Sequence, residues 1–256
     1  MRIFFILLTA LLFCSGSSYG QESANKNRLE IDGQYVNTMT NIVRKGDNNT
    51  GTIFNANDYT GNNSAQVRVS YFRTLNYFYK DDELRLVYAP YQQSGSSIPN
   101  SSVSFNGTTF NSASPLTVLY QFNTYRATYD APIYKTADPS DWIVRIGGTI
   151  AVRDAQIKLS QGNVSNSFSN VGPIPLLYFS GNKSLSSNWH LLTEFDAFPA
   201  PGGGGLFDGS VKIAYDITKD LVLTSGTRYL WGAAQDSSFG NTLSQIMGVV
   251  GLNIKF

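Results

Sequence analysis

Residues 242–256, TLSQIMGVVGLNIKF, end the chain and carry its clearest pattern. Counted back from the end, every second residue is apolar or small: Phe256, Ile254, Leu252, Val250, Gly248 and Ile246. The residues between them are mixed and include Lys255, Asn253 and Gln245. A period of two is typical of a β-strand with two different faces. One face can contact lipid while the other points to a polar interior.

This last strand, which ends on Phe256, resembles the closing strand of small bacterial outer-membrane β-barrels of the OmpA/OmpW type. The resemblance rests on pattern and on the terminal phenylalanine, which in such proteins is an assembly signal, and on no family motif. It implies an all-β, antiparallel, up-and-down transmembrane barrel in the cell outer membrane of a Gram-negative bacterium. It also implies contact with outer-membrane lipid and lipopolysaccharide, and insertion by the barrel-assembly machinery.

The composition agrees with a barrel. Charged residues make up 14% of the chain, against about 25% in typical soluble domains. Aromatic residues make up 13% and there are 23 glycines. Beyond the first fourteen residues no run approaches the ~20 apolar residues of a membrane helix, so strands must do the crossing. A net charge of +1 predicts no nucleic-acid partner.

The N-terminus predicts export. Arg2 precedes an apolar run over residues 3–13, and Ser18 and Gly20 supply the small residues of a cleavage site. We interpret residues 1–20 as a cleaved signal peptide, residues 21–27 as a flexible segment and residues 28–256 as the barrel. The alternative is a lipoprotein signal on Cys14, although Phe13 stands where such signals have a small residue. Cleavage after Gly20 removes the only cysteine and with it any disulfide.

The alternating segments predict about ten strands, with eight or twelve as alternatives. Polar segments predict long outer loops at 46–63, 94–114, 160–170, 199–205 and 235–241, and short periplasmic turns at 80–83, 184–188 and 216–220. The connection 131–141 is an exception to this alternation.

Three local features qualify the strand prediction. The first strand, over residues 28–41, must pair with the last one if the barrel closes. Pro173 and Pro175 predict a bulge or kink in the strand over residues 171–182. A small hairpin on Asn106 and Gly107 is predicted to extend above the membrane, with Phe105 and Phe110 on it.

Aromatic residues near the predicted strand ends suggest two interface belts. They are Trp142, Trp189 and Tyr215 at the periplasmic side, and Tyr229 and Trp231 at the outer side. The alternative is a soluble β-sandwich with aromatic core residues.

Charged residues collect on the predicted inner face: Glu30, Asp32, Arg68, Arg85, Arg145, Arg153, Glu194, Asp196, Asp208, Lys212 and Arg228. They form either a paired plug, which a narrow barrel favours, or the lining of a polar pore. The first functional hypothesis is a narrow porin-like channel for small solutes. The alternative is a structural or surface-interaction barrel, adhesin-like, with a filled interior and polar loops.

The third hypothesis is a lipid hydrolase. His190 is the only histidine, and Glu194 and Asp196 follow on the same strand face. Its predicted periplasmic position and the absence of a His-x-Ser pair argue against this hypothesis, so we expect no enzyme. One histidine and no retained cysteine predict neither a metal site nor a cofactor, and Asp81 and Asp82 are interpreted as turn residues. The sequence does not indicate an oligomeric state.

Overall fold

The computed structural model describes residues 27–138, 140–200 and 204–256. In chain order the strands are β1 (Asn27–Lys45), β2 (Phe54–Asn55), β3 (Asn63–Thr74), β4 (Glu83–Ala89), β5 (Gln92–Ser97), β6 (Val103–Phe105), β7 (Thr108–Phe110), β8 (Leu116–Tyr134), β9 (Trp142–Gln161), β10 (Val164–Ser184), β11 (Trp189–Ala200), β12 (Gly204–Asp216), β13 (Leu221–Gln235) and β14 (Phe239–Lys255). A 3-10 turn (Asp47–Asn49) and one turn of α-helix, α1 (Asn57–Thr60), lie between β1 and β3. The signal-peptide prediction lies outside the described residues.

The predicted closure is confirmed, because β14 pairs with β1 from Arg28↔Lys255 to Lys45↔Phe239. All neighbouring strands are antiparallel, and the wall runs β1, β3, β4, β8, β9, β10, β11, β12, β13, β14 and back to β1. β5 continues β4, since both pair with β8. The barrel therefore has ten wall strands. Asn27 and Phe256 exchange backbone hydrogen bonds of 3.1 and 2.9 Å; we call their end the terminal rim and the opposite end the distal mouth.

The outer surface of the barrel carries an apolar band. On β9, Ile146 and Ile150 face outward and are about half exposed. Further along the same face of β9, the outward residues include the charged Asp154 and Lys158. The change from apolar to charged side chains marks where the band ends toward the distal mouth. Among the described residues, no helix has the length and hydropathy needed to cross a membrane.

Three of the predicted long loops are largely strand. β9 and β10 extend to a turn at Gly162 and Asn163, so the predicted loop at 160–170 is wrong. β13 ends at Gln235 and β14 begins at Phe239, which reduces the predicted loop at 235–241 to a tight turn. β11 continues to Ala200, and residues 201–203 lie outside the described part. Beyond the apolar band, strands carry polar outward side chains, and these resemble loop sequence.

The two prolines of β10 produce no bulge, contrary to the prediction. β10 pairs with β9 in one uninterrupted register from Val164 to Lys183. On its other side it pairs with β11 only from Leu177 to Ser184. Pro173 and Pro175 therefore lie where β10 is an edge strand among the described residues, and an edge tolerates proline.

The two long loops fold into the distal mouth. Phe54, Phe105 and Phe110 are at most 8% exposed, and Phe54 meets Phe105 edge-on at 6.3 Å between ring centroids. Backbone bonds hold the β6–β7 hairpin to its neighbours: Thr52 donates to Ser104 O and Asn106 donates to Lys45 O. The hairpin also bonds to Asn166 at the distal end of β10, beyond the apolar band, so it lies above the band as predicted but folds inward over the mouth. Burial of its two phenylalanines outweighs exposure to water.

The turn between β3 and β4 is organised by Asp82. Its carboxylate accepts hydrogen bonds from the backbone N–H groups of Tyr77, Phe78 and Tyr79 and from the Tyr129 hydroxyl. Burial raises the pKa of Asp82, but the hydrogen bonds from Tyr129 and the backbone outweigh it and hold this pKa well below its usual value. Asp82 is thus a turn residue, and the turn presents exposed aromatic side chains at the terminal rim.

Candidate functional site in the barrel interior

Ten charged side chains meet in the middle of the barrel, and we call them the central ion-pair layer. The cations are Arg68, Arg85, Arg126, Lys212 and Arg228, and the anions are Glu30, Asp32, Glu194, Asp196 and Asp208. The strands place them there because inward-facing residues recur every second position. Equal numbers of opposite charges let the layer be neutral as a whole.

The central ion-pair layer crosses the whole bore. Arg68 on β3 donates from Nη2 to Oε1 of Glu194 on β11 at 2.8 Å. In the ring of ten strands β3 and β11 lie five positions apart, on opposite walls. This direct contact between opposite walls places two side chains across the axis of the bore at this level.

Asp196 accepts three hydrogen bonds within the barrel interior. Its Oδ2 accepts from Arg85 Nη2 and Arg126 Nη1, both at 2.9 Å. Its Oδ1 accepts from the Thr149 hydroxyl at 2.7 Å. Charge-assisted bonds of this kind offset the large cost of removing the charges from water.

The layer is dry. Nine of its ten side chains expose at most 6% of their surface to water, and those of Arg85 and Asp196 expose 1% or less. Glu194 is the exception, with 19% of its side chain exposed. The charges therefore pair with one another and with neighbouring hydroxyls, although the Nε atoms of Arg68, Arg85 and Arg126 are buried without an acceptor.

Nine of the eleven predicted interior charges lie in the central ion-pair layer, and two do not. Arg145 pairs with Asp130 toward the terminal rim. Arg153 lies distal to the layer. Arg126 was not among the predicted interior charges. The alternation of inward residues nevertheless continues through Thr124, Arg126, Thr128 and Asp130, and would have identified it.

Between the layer and the distal mouth lies a cavity of about 330 Å³, the distal cavity. Its apolar lining includes Phe122, Ile174, Phe198, Leu206 and Leu243. The folded loops fill the β1–β8 side of the mouth, while the distal cavity lies on the β10–β13 side. It exists because Gly204, Gly232 and Ala234 leave space where larger side chains would meet.

Arg153 is the cation of the distal cavity. It is half-buried, and its hydrogen bond from Nη2 to Asn170 Oδ1 is long, at 3.3 Å. Among the described residues no carboxylate lies within ion-pair distance of its guanidinium. Its Nε is buried without a hydrogen-bond acceptor, as are those of Arg68, Arg85 and Arg126. Arg153 differs from the cations of the central ion-pair layer in having no acidic partner among the described residues.

His190 lies near the terminal rim, between Ser184 and Asp216. Its Nδ1 is 3.1 Å from Ser184 Oγ, and its Nε2 is 3.0 Å from Asp216 Oδ2. Glu194 and Asp196, the acids expected from sequence, are held by arginines of the central layer instead. Asp216 was missed because β12 brings it beside His190 only in three dimensions. In the described part of the chain, no cluster of three or more acidic, histidine or cysteine side chains has metal-binding geometry.

Most of the predicted interface aromatics fall near the ends of the strands. Trp189 begins β11 and its ring centroid lies 4.8 Å from that of Tyr215, both partly exposed near the terminal rim. Trp142 begins β9, with Lys183 Nζ 5.8 Å from its ring centroid. Trp231 lies in the distal half of β13, whereas Tyr229 lies near the middle of this strand, next to Arg228 of the central layer, and not at its outer end as predicted. Phe256 is about half exposed beside the first strand.

Comparison with solved structures identifies the fold. The chain is similar to the outer membrane protease OmpT from Escherichia coli, with a TM-score of 0.57 and 9% identity over 94% of this chain and 99% of that one. Neisserial surface protein A aligns with a TM-score of 0.38 and 10% identity, over 90% of this chain and 97% of that one. Ail from Yersinia pestis gives 0.37 and 10%, over 90% and 99%.

No protein-family model matches the sequence, and neither does any curated protein. At 9% identity the likeness to OmpT shows the outer-membrane β-barrel fold and nothing about activity.

Proposed function

We propose that this chain is a closed outer-membrane barrel that acts as a receptor at its outer face and does not conduct solutes. The apolar band spans the membrane, the terminal rim faces the periplasm and the distal mouth faces outward. The observation that carries the proposal is the Arg68–Glu194 contact of 2.8 Å between opposite walls. It favours the filled interior over the narrow channel among the hypotheses drawn from sequence.

The burial of the charges supports the same proposal. A polar pore needs charged side chains that remain in contact with water and with passing ions. In the central ion-pair layer the charges contact one another, and Arg85 and Asp196 have almost no water-accessible surface. An ion entering this layer would have to displace a buried pair, which costs several kcal/mol.

The distal mouth has the properties of a binding face. Its loops are held by buried phenylalanines and by backbone bonds to β1, so the face has a fixed shape. The distal cavity opens beside these loops. A fixed face with a cavity binds ligands without a large ordering cost.

Conductance in planar lipid bilayers tests the closure. We expect the wild-type barrel to be electrically silent. Replacing both walls of the crossing pair, Arg68→Ser with Glu194→Ser, should open a water path and give discrete conductance steps. Serine removes two long side chains while preserving the charge balance of the layer.

The matched control for this experiment is Lys135→Ser with Asp81→Asn. These residues form an exposed ion pair of 2.6 Å at the terminal rim. Like the first double variant, it removes one positive and one negative charge, but it leaves the bore unchanged. We therefore expect it to remain electrically silent. Steady conductance through the wild-type protein would overturn the closed-barrel proposal.

A hydrolase at the terminal rim is the second candidate, favoured by the geometry around His190. A carboxylate only accepts, so in the neutral imidazole Nε2–H donates to Asp216 and Nδ1 is left to accept from Ser184. Ser184 Oγ could then attack an acyl carbon as its proton passes to Nδ1 and on to the leaving alkoxide. Water would hydrolyse the acyl-serine to release the acid.

Hydrolysis of p-nitrophenyl acetate by the purified barrel tests this candidate. We expect Ser184→Ala and His190→Ala each to lower the rate at least ~100-fold, since both act in the same step. Ser186→Ala, in the adjacent turn, is the matched control and should retain the rate. Release of nitrophenol at the wild-type rate by the His190→Ala protein would remove the candidate.

A further inference from the structure

We infer that the distal cavity binds an organic monocarboxylate with an apolar tail, whose carboxylate pairs with Arg153. The inference rests on the proposed function, because it names the ligand class that the outer face receives. Two features of the distal cavity carry it: an apolar wall and a cation without an acidic partner.

The wall of the distal cavity selects an apolar body. Phe122, Ile174 and Leu243 line it from three different strands, and none of the described lining residues is acidic. A volume of about 330 Å³ lies at the lower end of the ~300–1,000 Å³ typical of pockets for small organic ligands. Covering this apolar surface with a hydrocarbon chain removes it from water and provides affinity.

Arg153 selects the charge of the ligand. Every cation of the central ion-pair layer has a carboxylate partner, whereas Arg153 faces the distal cavity with none among the described residues. Asn241 lines the same cavity and adds an amide beside it. A guanidinium presents donors in a planar fork that matches a carboxylate. A bound anion would thus supply the acidic partner that Arg153 lacks among the described residues.

Among the described residues, the edge of β10 leaves the ligand a route in from the side. The lining combines inward-facing Ile174 with outward-facing Pro173 and Pro175, so the distal cavity reaches both faces of the wall here. In the described part of β11, no residue pairs with β10 above Leu177. Arg153 lies opposite Gly172, at the level where the outer apolar band gives way to polar residues. A molecule whose tail lies in the membrane and whose carboxylate lies at the membrane surface would have its carboxylate at the same depth as the Arg153 guanidinium.

Calorimetric titration of the full-length barrel in lipid nanodiscs tests the inference, with heats from empty nanodiscs subtracted. The probes are decanoate and decanamide, which share the chain and differ in charge. We expect decanoate to bind at least tenfold more tightly than decanamide. Arg153→Gln should raise the decanoate Kd roughly 10–100-fold, since a bond between charged groups is lost, and leave decanamide within about twofold.

Two further variants locate the site. Ala234→Leu fills the distal cavity and should weaken both probes at least tenfold, while Lys158→Gln, on the outer face of the same strand as Arg153, should change neither. The inference is overturned if decanamide binds wild-type protein as tightly as decanoate does. It is also overturned if Arg153→Gln or Ala234→Leu leaves decanoate binding unchanged. If the wild-type barrel conducts ions but binds decanoate through Arg153, only the closed-barrel proposal is overturned. If the barrel is silent but does not bind decanoate, only the inferred ligand class is overturned.

Discussion

Asp196→Ala is expected to lower the free energy of unfolding by about 3–5 kcal/mol, the usual cost of breaking a buried ion pair from one side. The carboxylate accepts from Arg85, Arg126 and Thr149 and has almost no exposure to water. Its removal leaves one excess positive charge in the central ion-pair layer and an empty space between two guanidinium groups. Urea titration of the protein in lipid bilayers, followed by tryptophan fluorescence, measures the change.

A second substitution separates charge balance from packing. Arg126→Ala added to Asp196→Ala restores equal numbers of cations and anions in the layer, and Asp208 keeps Arg228 as a partner. We therefore expect the double variant to be more stable than Asp196→Ala alone. Asp58→Ala, at an exposed position in α1, should stay within about 0.5 kcal/mol of wild type. Equal stability of Asp196→Ala and wild type would contradict the structural role of the layer.

The closure of the barrel was predictable from sequence because it depends on a local signal. Lipid outside and charge inside impose a period of two on residues 242–256 and on residues 28–41, and the two stretches pair as expected. The same signal located nine charges of the central layer. The alternation shows whether a side chain points into the barrel, but not which side chain of the opposite wall it contacts. The Arg68–Glu194 contact therefore could not be predicted from it.

The predicted loops failed where lipid no longer constrains the outer face. Above the band, β9 carries Asp154 and Lys158 outward, and β10 carries serines, although both are fully paired strands. A polar strand in water and a polar loop have similar composition, and only the pairing partner distinguishes them. The distal cavity was equally hidden, because it depends on where the pairing between β10 and β11 ends among the described residues.

The inward burial of the β6–β7 hairpin shows a related limit. Its Asn-Gly turn was identified correctly, with Asn106 and Gly107 at positive φ. The direction in which a hairpin points is decided by the surface available to its apolar side chains. Here Phe54, from a loop some fifty residues earlier in the chain, supplies that surface for Phe105.

Gly226→Ala is expected to destabilise the barrel by about 3 kcal/mol, at the upper end of the range for overpacking a tight site. A Cβ at this position would lie 2.1 Å from the carbonyl oxygen of Val211 and 2.7 Å from the Cα of Lys212. Both atoms belong to the backbone of β12, so no side chain can rotate away. The two strands must separate, which weakens their ladder of hydrogen bonds next to Lys212 and its ion pairs with Glu30 and Asp32.

Gly248→Ala is the matched control, because it adds the same methyl group on the neighbouring strand. Gly248 lies on β14 beside Thr227, and a Cβ there meets no atom within 4 Å. Its effect should be small or slightly favourable, since alanine reduces the freedom of the unfolded chain. Urea unfolding of the two variants in the same lipid compares them directly. Equal midpoints would show that β12 and β13 can separate without cost, and would contradict the tight approach of their backbones at Gly226.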